Sequence, residues 1–356
     1  MAAAFEFATA ARIVFGSGKS SAIPAATRAM GRRPLLVANK RWRHLLPEAE
    51  VVFEVHGEPT VHVARQGAAL AKAERCDVVV SIGGGSAIDA GKAIAALAAN
   101  PGDVPDYIEV IGRGQPLTIR PLPFIAVPTT SGTGAEVTRN AVLSSPVDGV
   151  KASLRSPMML PLLAIVDPDL TRNLPREIAA YTGLDALTQL IEPLVSIRAS
   201  PMSDMAARQG LAAAVQGLRT LDREAMAQAS LLSGMALANS GLGAVHAFAA
   251  AIGGMFPAAP HGAICAALLA PVMKINAAAL RARDPNGPAL RRYEEAPSVA
   301  WVEETVRQLE IRPLAGYGVE IARAGEIVAK AQGSSSMKGN PIALTDAELR
   351  IALAGE

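Results

Sequence analysis

The chain has 356 residues, half of them hydrophobic, 19% charged and only 4% aromatic, with a formal net charge of +2. At roughly 100–200 residues per domain, that length predicts two domains. Balanced charge without a long Lys/Arg run, together with few aromatic rings, argues against a nucleic-acid partner.

The two cysteines, Cys76 and Cys265, are far apart and form no CxxC motif, so a reduced cytoplasmic location is expected, with both thiols acting as small buried hydrophobes. The first residues, MAAAFEFATAARIVFG, lack the basic start and apolar core of a secretory signal. Mean hydropathy is high at +0.27, yet Gly, Pro or polar residues interrupt the Ala-rich stretches before a span of about 20 residues is reached. Buried helices and no membrane partner are expected.

In chain order, PLLVAN (34–39) and VVFEVHG (51–57) read as strands, followed by a helix through VARQGAALAKAERC. DVVVSIGGG (77–85) is an apolar strand ending in glycines. SAIDAGKAIAALAAN (86–100) is a helix, and PFIAVPTT (123–130) a further strand. This βαβ rhythm with unbroken apolar strands predicts a parallel sheet covered on both faces. Residues 141–156 read as a hairpin, and LLAIVDPDL (162–170) closes the α/β region. Beyond Leu170 strand signals vanish. Ala, Leu and Met recur at helical spacing, which predicts an all-helical second domain. Residues 307–345 are punctuated by Gly and Pro, and TDAELRIALAG is a final helix capped by Thr345 or Asp346. The expected domains are 1–170, α/β and dinucleotide-binding, and 171–356, all-α and carrying the metal and substrate site.

Two loops follow strands in the first domain. Gly83, Gly84, Gly85 and Ser86 join a strand to a helix. Such a turn brings backbone close to a phosphate, and the helix N-terminus presents N–H donors. The spacing is neither GxGxxG nor a P-loop, and a tight turn needing no ligand is the competing reading. PTTSGTGAEVT (128–138) adds hydroxyls that can bind phosphate, ribose or amide. Paired loops at strand C-termini of one parallel sheet are what a nucleotide site at a topological switch point requires.

The second domain holds only two of the five histidines, His246 and His261. Asp185 and Gln189 lie four apart and share a helix face. A carboxylate in the apolar setting GLDALTQLI needs a partner or a cation. Asp185, both imidazoles and the Gln189 amide oxygen would suit zinc or ferrous iron. A lone histidine on an apolar helix is more often a satisfied core group.

These segments together resemble the iron-containing, or group III, alcohol dehydrogenase family, including its maleylacetate reductase branch. The resemblance spans essentially the whole chain: FGSG, SIGGGSAIDAGKA, VPTTSGTGAEVT, VKASL, VDPDLTRNLP, TGLDALTQLIEP, GAVHAFAAAIGG, PHGAICAALLAPVMKIN and NPIALTDAEL. It implies an α/β dinucleotide-binding domain followed by an all-α domain, in a dehydroquinate synthase-like fold. It also implies NAD or NADP as cofactor, a divalent metal (iron or zinc), an alcohol or carbonyl substrate, and a homodimer. Carried over by position, Gly83, Gly84, Gly85, Ser86 and Asp89 would hold the pyrophosphate and nicotinamide side. Thr129, Thr130, Ser131 and Thr133 would line the adenine and phosphate side, near Lys151 and Leu170. Asp185, His246 and His261 fall on metal-ligand positions, with Gln189 as the fourth.

Three residues depart from the family pattern. Gln189 replaces a ligand histidine, Ala250 replaces a histidine near the nicotinamide, and Asn39 replaces an aspartate after the PLLVA strand. Asn39 keeps the ribose hydrogen bonds without repelling a 2′-phosphate, so both NAD and NADP fit. The expected chemistry is hydride transfer between the nicotinamide and a carbonyl. Either a metal polarises the oxygen, or His246 or His261 does so in a metal-free site. Two alternatives are reduction of a carbon–carbon double bond in a dicarboxylate, with Arg198, Arg208 and Lys274 as cationic candidates, and a nucleotide-binding protein depleted of catalysis.

Overall fold

The computed structural model describes residues 4–355, which divide into two compact units. One comprises residues 9–130 and 134–173. The other takes residues 174 onward together with 131–133 and the described part of 1–8.

The α/β unit contains β1 (Ile13–Phe15), α1 (Ile23–Met30), β2 (Pro34–Ala38), β3 (Val51–Phe53), α2 (Val61–Ala73), β4 (Val78–Gly83), α3 (Gly85–Ala99), α4 (Val104–Tyr107), β5 (Phe124–Pro128), β6 (Asn140–Ser145), β7 (Val150–Arg155) and β8 (Leu163–Val166). Six strands form a sheet in the order β1-β8-β5-β4-β2-β3, with every pairing parallel. Alternate side chains leave opposite faces of a strand, and the core divides accordingly. Leu35, Val37, Val79 and Phe124 pack with Ala71 of α2 and with Ile88 and Ile94 of α3. Leu36, Val80, Ile82, Ile125 and Ile165 pack with Ile23 of α1. Burial on both faces explains why β4 and β5 read as unbroken apolar runs. The expected hairpin is present as the antiparallel pair β6–β7. The second strand expected from VVFEVHG is shorter: β3 is an edge strand that pairs only with β2 and stops at Phe53.

The helical unit contains α5 (Arg176–Val195), α6 (Pro201–Thr220), α7 (Arg223–Ser240), α8 (Ala244–Met255), α9 (His261–Arg283), α10 (Pro288–Glu295), α11 (Val299–Gln308), α12 (Ala324–Gln332) and α13 (Asp346–Ala354). Its core is one cluster drawn from nearly all of these helices. Thr345 caps α13 and forms a reciprocal capping box with Glu348. Near the chain start, Ala8 is tied into this unit by both amide groups of Asn239, at 2.7 and 2.9 Å.

The structure refines two expectations. Within the Gly- and Pro-punctuated residues 307–345 a helix, α12, forms with Gly325 in its first turn and buries Ile327, Val328 and Ala331. An apolar span longer than expected also exists, since α9 runs for 23 residues through Pro271 and is long and apolar enough to cross a membrane. Its apolar window is 67% buried inside the protein, as befits the central helix of a core.

Candidate active site

The α/β unit builds its candidate site from backbone. Chain connections leave β2 and β4 in opposite directions across the sheet, so these neighbours form the topological switch point where open α/β sheets bind ligands. Ala38 pairs with Ile82, which places Asn39 beside Gly83 at the strand C-termini. Gly84 is the N-cap of α3 and offers no side-chain cap. The positive end of that helix therefore faces outward with N–H donors to give. Thr129 donates its N–H to the Gly83 carbonyl at 2.9 Å, which holds the second loop against the first. A Cβ on Gly84 would stand 3.2 Å from Thr130 Cγ2, a tight contact that holds the two loops close together. These features fit the pyrophosphate of a dinucleotide.

Other predicted binding residues in this unit are engaged internally. Asp89 contacts buried Lys92 at 3.2 Å and accepts the Val142 N–H at 3.1 Å. Lys92 also donates to Thr138 Oγ1 at 2.8 Å. Lys151 pairs with Glu58 at 2.5 Å, and Leu170 is a half-buried core neighbour. Asn39 is exposed and begins a 3-10 turn without a side-chain cap. Ser131 and Thr133 belong to the other unit. Glu136, in the second loop motif, is buried, and burial pushes its carboxyl up to about 7.

The helical unit builds its site from side chains on three helices. Asp185 projects from the middle of α5, His246 from the first turn of α8, and His261 opens α9. Asp185 Oδ1 lies 3.3 Å from His246 Nε2 and 3.5 Å from His261 Nε2. The Asp185 and His246 side chains are buried, whereas that of His261 is 38% exposed. Close packing makes this possible: a Cβ on Gly262 would stand 2.3 Å from the Tyr181 carbonyl oxygen. Only glycine there lets α9 start against α5.

Two residues that motif reading left aside complete the arrangement. Glu192 accepts the Val245 N–H at 2.7 Å and bonds His246 Nδ1 at 2.7 Å. One carboxylate thus caps α8, orients the His246 ring and turns Nε2 toward Asp185. Asn340 accepts the neighbouring Ala244 N–H at 3.1 Å. Cys265 was expected as a plain small hydrophobe. It is buried, but its Sγ lies 3.7 Å from His261 Nε2 and 3.9 Å from His246 Nε2. Helical spacing held signals for both: Glu192 follows Asp185 by seven positions, and Cys265 follows His261 by four. Gln189, on the same helix as Asp185, accepts from Ser233 Oγ at 2.9 Å.

Donor atoms of Asp185, His246, His261 and Cys265 all lie within 4.8 Å of one another. Asp185 Oδ1 is buried with no hydrogen-bond donor in bonding geometry. Burial alone would raise the Asp185 carboxyl, but the neighbouring His261 and His246 hold it below the usual carboxylate range. Burial opposes charge on His246, yet Cys265, Glu192 and Asp185 together lift it well above an ordinary imidazole. The pocket calls for positive charge, and an orphaned carboxylate oxygen beside two ring nitrogens fits a divalent cation. Of the cationic candidates for a dicarboxylate, Arg208 is paired with Glu295 at 2.5 Å and Lys274 with Glu303 at 2.9 Å.

Comparison with known proteins identifies the family. The family model for iron-containing alcohol dehydrogenase matches residues 10–168, and that for the C-terminal region of the Fe-containing alcohol dehydrogenase family matches residues 179–353. Alcohol dehydrogenase 4 of Schizosaccharomyces pombe is 36% identical over 315 residues, covering 83% of this chain and 72% of the relative. A crystal structure of 1,3-propanediol oxidoreductase superposes with a TM-score of 0.88 at 31% identity, covering 99% of each chain. Sulfoacetaldehyde reductase from Bifidobacterium kashiwanohense, solved with NAD+, gives a TM-score of 0.86 at 26% identity, covering 99% of this chain and 98% of that one. The chain belongs to the iron-containing alcohol dehydrogenase family, oxidoreductases that act on CH–OH donors.

Proposed function

We propose that the protein is an NAD(P)-dependent alcohol dehydrogenase that also runs as an aldehyde or ketone reductase. Hydride would pass between C4 of the nicotinamide and the carbinol or carbonyl carbon. The observation that carries this reading is the buried Asp185 oxygen facing two imidazoles, one of them aligned by Glu192. Gly83, Gly84, Gly85, Ser86, Thr129 and Thr130 would bind the dinucleotide, chiefly through backbone at the α3 N-terminus. Asn39, following β2, would meet the adenosine ribose of either cofactor.

Asp185, His246 and His261 would hold a divalent ion, Gln189 standing at the family's fourth ligand position. When bound, that ion would act as a Lewis acid toward the substrate oxygen. Glu192 keeps a proton on His246 Nδ1 and leaves Nε2 for the site. His261, the exposed edge of the cluster, would be the member nearest an incoming substrate. In a metal-free protein, its Nε2 would hold the proton that the developing alkoxide takes. The Arg208 and Lys274 ion pairs leave those two cations committed to other carboxylates, so of the three candidates Arg198 alone remains for a dicarboxylate.

Oxidation of NADH and NADPH by purified protein against a panel of aldehydes, ketones and keto acids tests this function. Turnover with aldehydes or ketones is expected. Tight cofactor binding with no turnover on any of them would instead identify a nucleotide-binding protein without catalysis.

A further inference from the structure

Cys265 stands one helical turn after His261 on α9, so the two side chains leave the helix on the same face. Its sulfur meets two imidazole nitrogens, at 3.7 and 3.9 Å, where a thiol serving only as core filler would meet carbon. Those nitrogens lie 3.3 and 3.5 Å from the orphaned Asp185 oxygen. Zinc bonds of about 2.0–2.1 Å to N or O and about 2.3 Å to S place tetrahedral donors roughly 3.3–3.6 Å apart. Four of the six donor–donor distances, at 3.3–3.9 Å, are close to that spacing, and all six lie within 4.8 Å, so one ion can gather the four donors by a modest contraction of the cluster.

Gln189 has a partner elsewhere. Its amide oxygen lies 2.9 Å from Ser233 Oγ, a hydroxyl that also reaches the Ser230 carbonyl at 2.8 Å, and both residues are buried. Using that oxygen as a ligand would mean sharing it with or taking it from the hydroxyl of α7. His246 already carries the outer carboxylate, Glu192, that aligns a metal-binding histidine.

We propose that Cys265 supplies the fourth donor of a divalent-metal site with Asp185, His246 and His261, and that this sulfur gives the site a preference for zinc over ferrous iron. This assignment rests on the reading of the helical cluster as a metal centre. The missing ligand on α5 is replaced from α9, by a donor of different chemistry. Thiolate is a soft ligand that suits zinc and cobalt, whereas an oxygen and nitrogen set suits ferrous iron as well. These four residues would supply a complete donor set for zinc, with His261 as its exposed member.

Metal-stripped full-length protein titrated with cobalt(II) alone tests the assignment by absorption spectroscopy. Stoichiometric uptake is expected, with a thiolate-to-cobalt charge-transfer band in the near ultraviolet and tetrahedral d–d bands in the visible. C265S should lose the charge-transfer band and weaken cobalt binding by about 100-fold or more, while circular dichroism and NADH binding stay at wild-type values. C76S and Q189A should keep the band. In competition, the preference for zinc over ferrous iron should be larger in the wild type than in C265S. Cobalt bound to the wild type without the band, or a C265S spectrum and affinity equal to wild type, would overturn Cys265 ligation and leave the metal centre standing. No cobalt uptake by the wild type would overturn the metal centre itself.

Discussion

The two units of this protein build their sites by opposite means. In the α/β unit the site consists of strand ends and an uncapped helix, and what matters is where backbone runs and how little side chain intrudes. In the helical unit it consists of side chains from α5, α8 and α9 that meet only because those helices pack together. A backbone site tolerates sequence drift as long as its glycines persist. A side-chain site can lose a ligand at one position and recruit a donor from another helix, and Gln189 and Cys265 read as that exchange.

The sharpest way to break this contrast is to damage each site and ask whether the other notices. Asp185→Asn should lower kcat/KM for aldehyde reduction by about 10³-fold, through lost stabilisation of the transition state, while leaving the NADH dissociation constant unchanged in a fluorescence titration. Loss of both together would mean that the sites are not separable.

Stability offers a second contrast, because Glu136 is a buried carboxyl in the α/β unit raised to about 7. A raised carboxyl contributes stability that is fully present below its unfolded value of about 4.5 and is lost as pH rises through about 7, a swing of roughly 3 kcal/mol. Glu136→Gln should therefore raise the unfolding midpoint at pH 8 and leave it nearly unchanged at pH 5. An equal shift at both pH values would contradict the buried-charge origin.

Gly84→Val would put a branched side chain against Thr130 and over the α3 N-terminus. NADH binding should weaken by about 100-fold, with bound metal unchanged by elemental analysis. The smallest effect is expected at Asn39. Asn39→Asp would set a carboxylate against a 2′-phosphate and should shift preference toward NADH by about tenfold in the ratio of kcat/KM values.

The fold was legible in sequence wherever burial imposed a pattern. β2, β4, β5 and β8 are buried on both faces and appear as apolar runs. β1 has three half-buried residues at a sheet edge, too short to leave a pattern. Helix α12 carries Gly325 in its first turn within a Gly- and Pro-punctuated stretch, which masks its helical pattern. The same distinction governs the sites. Gly83–Ser86 could be read from a strand running into a helix, and Asp185 from a carboxylate in an apolar stretch. The Ser233–Gln189 bond joins residues 44 apart on different helices, and no local pattern encodes it. Cys265 was open to reading from its spacing to His261, but sulfur is equally at home in a core, so only the approach of two ring nitrogens distinguishes its role.

Elemental analysis of the purified protein, paired with activity before and after chelation, tests the helical cluster most directly. Stoichiometric zinc or another divalent metal per chain is expected, with aldehyde reduction lost on chelation and regained on adding the metal back. Full turnover by protein shown to be free of metal would contradict the metal centre and pass the chemistry to His261.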